Sequence, residues 1–187
     1  MKKRWYAGLG ALALVATIPF ASNTPVLANL EQAREAIVQA LKRPDVRLEL
    51  SAAKQVTIKG QDGKDETIWQ NLGDKAVVQP GDLLLYTIQG ENKGRKAAKN
   101  LVVSQPIPQG MVYELNSAQS YNGAEITFSI DNGKTFVAKP TIEEILPNGE
   151  IKYKEAPADA YTNIRWKFNG SINPEGKTTA TYQLKVR

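Results

Sequence analysis

The chain has 187 residues, 42% of them hydrophobic, and carries 24 Lys and Arg against 19 Asp and Glu, with no Cys and no His. That length suffices for one well-buried core. The missing Cys and His exclude disulfides, lipid attachment at a cysteine, ordinary zinc centres and every Ser-His or Cys-His nucleophile.

Lys2, Lys3 and Arg4 form a basic start, and residues 7–20 form an apolar run of fourteen. After Pro19 and the polar Ser22, Asn23 and Thr24 comes Val26-Leu27-Ala28, with the compact residues a signal peptidase reads. The run is too short to span a bilayer comfortably, so residues 1–28 are expected to be a signal peptide cleaved after Ala28 rather than a retained anchor. Three basic and no acidic residues leave with it, so the mature 159 residues hold 21 basic and 19 acidic side chains, a net of +2. This balance, without a basic patch interleaved with aromatics, points away from a nucleic-acid partner.

Residues 29–43 read as a short helix, with Leu30, Ala33, Ile37 and Leu41 on one stripe and Pro44 as its stop. Asn29 and Gln32 resemble a capping box, although a new ammonium group at Asn29 would oppose the helix dipole. A helix this short needs a surface to dock on, so residues 29–45 are expected to strap onto the domain, with a partner-binding helix as the alternative.

From Val46 the period becomes two. Val46, Leu48 and Leu50 alternate with Arg47, Glu49 and Ser51, and Val56 and Ile58 continue after a break at Ala52 and Ala53. Residues 60–66 turn, and Ile68 and Trp69 begin a return strand. Asp62, Asp65 and Glu66 lack the ligand spacing of a calcium loop and read as a solvated tip. Gln79-Pro80-Gly81-Asp82 is turn chemistry ahead of a strand in which Leu84, Tyr86 and Ile88 point one way and Leu83 and Leu85 the other. The first set is expected to meet an opposite sheet; the second needs a cover, for which the predicted helix is the candidate. Asn92-Lys93-Gly94 opens a loop carrying Arg95, Lys96 and Lys99, and a strand at residues 101–104 ends in Pro106-Ile107-Pro108-Gln109-Gly110, two of whose residues cannot donate ladder hydrogen bonds.

These elements resemble the conserved repeat domain of bacterial and archaeal surface proteins known as domain of unknown function number eleven. Its pattern is matched by Pro80-Gly81-Asp82, Tyr86-Thr87-Ile88, Asn92-Lys93-Gly94, Val102-Val103 and the exit at residues 106–110, about thirty-four residues in all. The resemblance implies an immunoglobulin-like antiparallel β-sandwich exposed on, or exported into, the cell envelope. The chain departs from the pattern at Gln105, where the family usually has Asp, at Leu83 and Leu85, where small polar residues are usual, and at Gly90.

Beyond Gly110, residues 111–115 read as a short strand. A hairpin is expected with Ile126, Phe128 and Ile130 on one limb, Asp131-Asn132-Gly133 at the turn and Thr135, Phe136 and Val137 on the return. Residues 147–161 read as loop with a short strand at residues 151–153. Ile164, Trp166 and Phe168, then Ala180, Tyr182, Leu184 and Val186, face inward on two strands expected to pair as a ribbon, with Trp166 at the centre. The domain is therefore expected to be all-β over residues 46–187, with the short helix preceding it.

Chemistry was weighed residue by residue. Ser51-Ala52-Ala53-Lys54 fits Ser-x-x-Lys, but lies in a strand region without the companion motifs. Glu143 and Glu144 are strand neighbours that point apart, not an acid/base pair. Asn169-Gly170-Ser171 is a glycosylation sequon, relevant only where such sites are modified. No catalytic, metal or cofactor-binding residue is expected, and no cofactor. Leu83, Leu85, Tyr113 and Tyr121 are the candidate interaction surface, with Tyr153 and Tyr161 as further tyrosines suited to stacking. The expected function is that of an exported envelope module, periplasmic or at the cell surface, that is structural or binds an envelope protein or polymer without catalysis. The alternative is a carbohydrate- or ligand-binding module, and a hydrolase using carboxylates alone is a weaker third.

Overall fold

Alternating sequences dominate the structure, a computed structural model that describes residues 15–17, 35, 38, 43–73, 77–121 and 123–187. The strands are β1 (Val15–Thr17), β2 (Val46–Lys59), β3 (Asp65–Asn71), β4 (Leu83–Asn92), β5 (Ala98–Lys99), β6 (Val102–Pro106), β7 (Met111–Tyr113), β8 (Gln119–Ser120), β9 (Ala124–Ser129), β10 (Thr141–Ile145), β11 (Ile151–Glu155), β12 (Asn163–Phe168), β13 (Ser171–Ile172) and β14 (Lys177–Val186). All pairings are antiparallel, and the fold is all-β. One sheet runs β3-β2-β4-β14-β7, with β8 also on β14; a second runs β1-β6-β12-β9; β10 with β11 and β13 with β5 form two-stranded ribbons. Apart from Glu35 and Val38, which are helical, and Arg43, which is not, the helix expected at residues 29–43 lies outside the described residues. β1, inside the expected signal segment, runs along the edge of β6 with Ala16 opposite Val103.

The two larger sheets share one core because each has a single apolar face to bury. Leu84, Tyr86 and Ile88 of β4 and Ala180, Tyr182 and Leu184 of β14 meet Val103 of β6 and Ile164, Trp166 and Phe168 of β12 in one buried cluster. Tyr86 stacks on Tyr182 at 5.1 Å, and Trp166 lies 5.5 Å from Tyr182 across the gap between the sheets. The indole N–H of Trp166 donates to the Gln119 carbonyl at 3.1 Å, so this polar group is not stranded by its burial. Burial pushes the Tyr86 hydroxyl up to about 12.

Three expectations are corrected. β12 and β14 do not pair as a ribbon; they lie in different sheets and face each other. Side by side, both apolar faces would still need a cover, whereas face to face each supplies the other's. The crossing runs through β13, which pairs with β5, and through Gly176, whose carbonyl accepts the Asn92 backbone N–H at 3.0 Å. The break at Ala52 and Ala53 is absent: β2 continues through both, and they are buried on opposite faces. The hairpin around Asp131 shrinks to one bridge between Phe128 and Val137, because the Asp131 carboxylate captures the backbone N–H groups of Lys134 and Thr135 at 3.0 and 2.9 Å and curls the return limb into a loop.

Asn92 is fully buried and every hydrogen-bonding position of its amide is used. Its NH2 donates to the carbonyls of Lys96 and Ile172 at 2.7 and 2.8 Å, and its oxygen accepts from the N–H groups of Asp45 and Gly94 at 3.2 and 3.0 Å. Gly94 is compulsory beside it, since a Cβ there would meet the Arg43 carbonyl at 2.3 Å and the Asp45 nitrogen at 2.4 Å. Asn92→Ala is expected to lower the unfolding free energy by about 3 kcal/mol or more, because four backbone groups lose a partner at once. Asn92→Asp should be nearly as damaging, since a carboxylate cannot donate to the two carbonyls. Denaturant titration of both variants checks this. Gln105 is the converse case, fully buried with neither amide atom partnered; Gln105→Leu is expected to raise stability by about 1 kcal/mol in the same assay.

Candidate functional site

Among the described residues, the β10–β11 arm carries three well-exposed large hydrophobic side chains, Ile145, Ile151 and Tyr153. Its tip, residues 146–150, closes through the Leu146 N–H to the Glu150 carbonyl at 2.8 Å and the Gly149 N–H to the Leu146 carbonyl at 2.9 Å. Gly149 sits at φ 83°, a conformation that favours glycine, and Asn148 accepts the Glu150 N–H at 3.1 Å. Register then sorts the side chains. Opposed residues share a face, so Glu143, Ile145, Ile151 and Tyr153 lie on one side, and Ile142, Glu144, Lys152 and Lys154 on the other.

The first face is apolar and open: Ile145 is 75% exposed and Tyr153 64%. The Tyr153 hydroxyl donates to Glu143 at 3.1 Å, and this hydrogen bond holds the phenol above its ordinary value. The second face is charged, with Lys154 on Glu144 at 2.7 Å, and Glu144 is held below its ordinary value by that lysine. Glu143 and Glu144 thus point apart and are engaged separately. A two-stranded ribbon is marginal alone; this one is rooted where the Ala156 N–H meets the Pro140 carbonyl at 2.9 Å and both residues are buried.

Beside the root lies an open groove of about 520 Å³ lined by Tyr113, Leu115, Phe128, Lys139, Glu155 and Tyr161 among others. Its aromatic floor is a triad, with Tyr113, Phe128 and Tyr161 at ring separations of 5.3, 5.3 and 5.4 Å. Tyr113, expected at the surface, is therefore a core residue: it is 2% exposed, and its hydroxyl accepts the Ala118 N–H at 3.1 Å. Tyr121 is 71% exposed, as an interaction residue would be, but it lies on another element. Leu83 and Leu85 are half-buried on the outer face of the larger sheet, beside Lys185 and Gln183 of β14. The four expected surface residues are thus not brought together. The strand expected at residues 151–153 is found as β11, but its partner β10 was not expected; the signal that marks the pair is the two isoleucines flanking Leu-Pro-Asn-Gly-Glu.

The other chemistries find their groups occupied. Lys54 bonds Asp82 at 2.7 Å, while Ser51, three residues away on the strand, points to the opposite face. Asp62 and Asp65 pair with Lys64 and Lys59 at 3.1 and 2.6 Å, and no group of three metal-binding side chains occurs among the described residues. No helix among them is long and apolar enough to cross a membrane. Compared with known proteins, the chain matches no family model, no curated sequence and no solved structure.

The connection that feeds the arm depends on Asp131. Its carboxylate accepts from the Ser129 and Thr135 hydroxyls, both at 2.6 Å, and from the two backbone groups above, which holds it well below the ordinary 3.8. A depressed folded value stabilises fully above the ordinary carboxylate range and is lost as pH falls through the folded value. Thermal melts should therefore show a gap between wild type and Asp131→Ala that is widest at neutral pH and narrows steadily below about pH 4.

Proposed function

We propose that the chain is an exported, non-catalytic interaction module of the cell envelope, built as an immunoglobulin-like β-sandwich akin to the surface-protein repeat domain, and that it engages its partner through the β10–β11 arm. The observation that carries this reading is the arm's open face, where Ile145, Ile151 and Tyr153 stand in solvent on a projecting ribbon whose reverse is charged. An apolar face rimmed by polar groups is the usual form of a protein-binding patch. The two facing sheets support the sandwich, and the basic and apolar start of the chain supports export with cleavage after Ala28.

In this reading residues 46–187 are the working domain. The recognised segment is its scaffold: Gly81, at φ 94°, and Asn92 set turns, and Leu84, Tyr86 and Ile88 build core. Carbohydrate binding has less support. Tyr113 offers no exposed ring, so stacking on sugars would fall to Tyr121, Tyr153 and the half-buried Tyr161, which belong to separate elements.

Two measurements test the proposal. Fractionation with N-terminal sequencing should find the protein outside the cytoplasm, beginning at Asn29; an unprocessed cytoplasmic protein would sink it. A photo-crosslinker placed at Tyr153 in living cells should trap an envelope component that the same group at Lys152, on the reverse face, does not. Equal trapping from both faces, or from neither, removes the arm from the proposal.

A further inference from the structure

The strand β3 forms one edge of the larger sheet, pairing with β2 on one side and with nothing described on the other. All seven of its residues are exposed, including Ile68 at 39% and Trp69 at 38%. An open edge of this length is a template for another strand. The devices that usually blunt one are missing along most of it. No proline or bulge interrupts the register with β2, and the only charges, Asp65 and Glu66, lie at one end, Asp65 already neutralised by Lys59 at 2.6 Å.

We propose that β3 pairs with β3 of a second copy, antiparallel about a two-fold axis at Ile68, joining two sheets edge to edge. Self-complementarity chooses the copy as occupant. Centring on Ile68 is the register that pairs all seven residues: Ile68 meets Ile68, Thr67 meets Trp69, Glu66 meets Gln70 and Asp65 meets Asn71, so no like charges oppose each other. The row across the new sheet, from Val56 through both Ile68 side chains to the second Val56, is continuous and apolar, because β2 already places Val56 beside Ile68. The same operation fails on the arm. Self-pairing of β11 about Tyr153 sets Lys152 against Lys154 twice, and self-pairing of β10 about Glu143 sets that carboxylate against itself. At the other edges, β6 ends in Pro106, which cannot donate a ladder hydrogen bond, and β9 is partly covered by the bridge from Phe128 to Val137.

The test uses the processed protein recovered from cells that express the full chain, followed by sedimentation equilibrium over a micromolar concentration series. The wild type should dimerise. Ile68→Lys and Ile68→Glu each place like charges at the axis and should weaken dimerisation about tenfold or more. Mixed in equal amounts, the two variants should recover a heterodimer, an outcome that misfolded chains could not give. Amide exchange in β3 should slow as concentration rises. A wild type that stays monomeric, a dimer indifferent to both charges, variants that do not recover association when mixed, or protection that appears elsewhere and not in β3 would each overturn the proposal.

Discussion

The buried amide of Asn92 joins the pieces of chain that sequence distance keeps apart. Asp45 at the entry to β2, the loop after β4, and Ile172 on the crossing from β12 to β14 all converge on it. Its backbone adds two more bonds to the same crossing, from its N–H to the Gly176 carbonyl and from the Glu175 N–H to its own carbonyl. A buried polar group satisfied so completely costs little by its presence and a great deal by its loss. It also accounts for topology. With the crossing anchored at the end of β4, β14 is delivered to β4's edge and β12 is left on the opposite sheet, which brings Trp166 against Tyr182.

How far the sequence could be read follows from which forces are local. The period of two in β4, β12 and β14 is a local property, strict in β12 and β14 and blurred in β4 by Leu83 and Leu85, and it assigned Leu84, Tyr86, Ile88, Ile164, Trp166, Phe168, Tyr182 and Leu184 to the core correctly. Which strands lie side by side is decided by the crossing, and nothing in residues 163–186 alone distinguishes a ribbon from two facing strands. The Asp131 loop shows a second limit. Asp-Asn-Gly between alternating residues is a strong hairpin signal, but a carboxylate that can satisfy several N–H and O–H groups at once outcompeted the ladder.

The candidate surface was less legible than the fold. Tyr113 sits near a strand end, where exposure is a fair guess, but the Phe128 and Tyr161 rings close over it. The arm escaped because its apolar residues face solvent, and hydrophobic patterning is normally read as a guide to burial. Ile145, Ile151 and Tyr153 are exposed because their ribbon is a two-stranded sheet of its own, paired with neither larger sheet. Residues 77–110 are largely framework, with Leu84, Tyr86 and Ile88 in the core, and framework says little about which loops and edges do the binding.

The three tryptophans of the chain happen to divide its life history among themselves. Trp5 lies in the expected leader, Trp166 is fully buried against Tyr182, and Trp69 stands on the open edge of β3. Intrinsic fluorescence therefore separates three events that usually blur into one signal. On the proposed reading Trp5 leaves with the leader, a blue-shifted and tyrosine-sensitised Trp166 reports closure of the core, and the solvent-sensitive emission of Trp69 reports whatever reaches the edge.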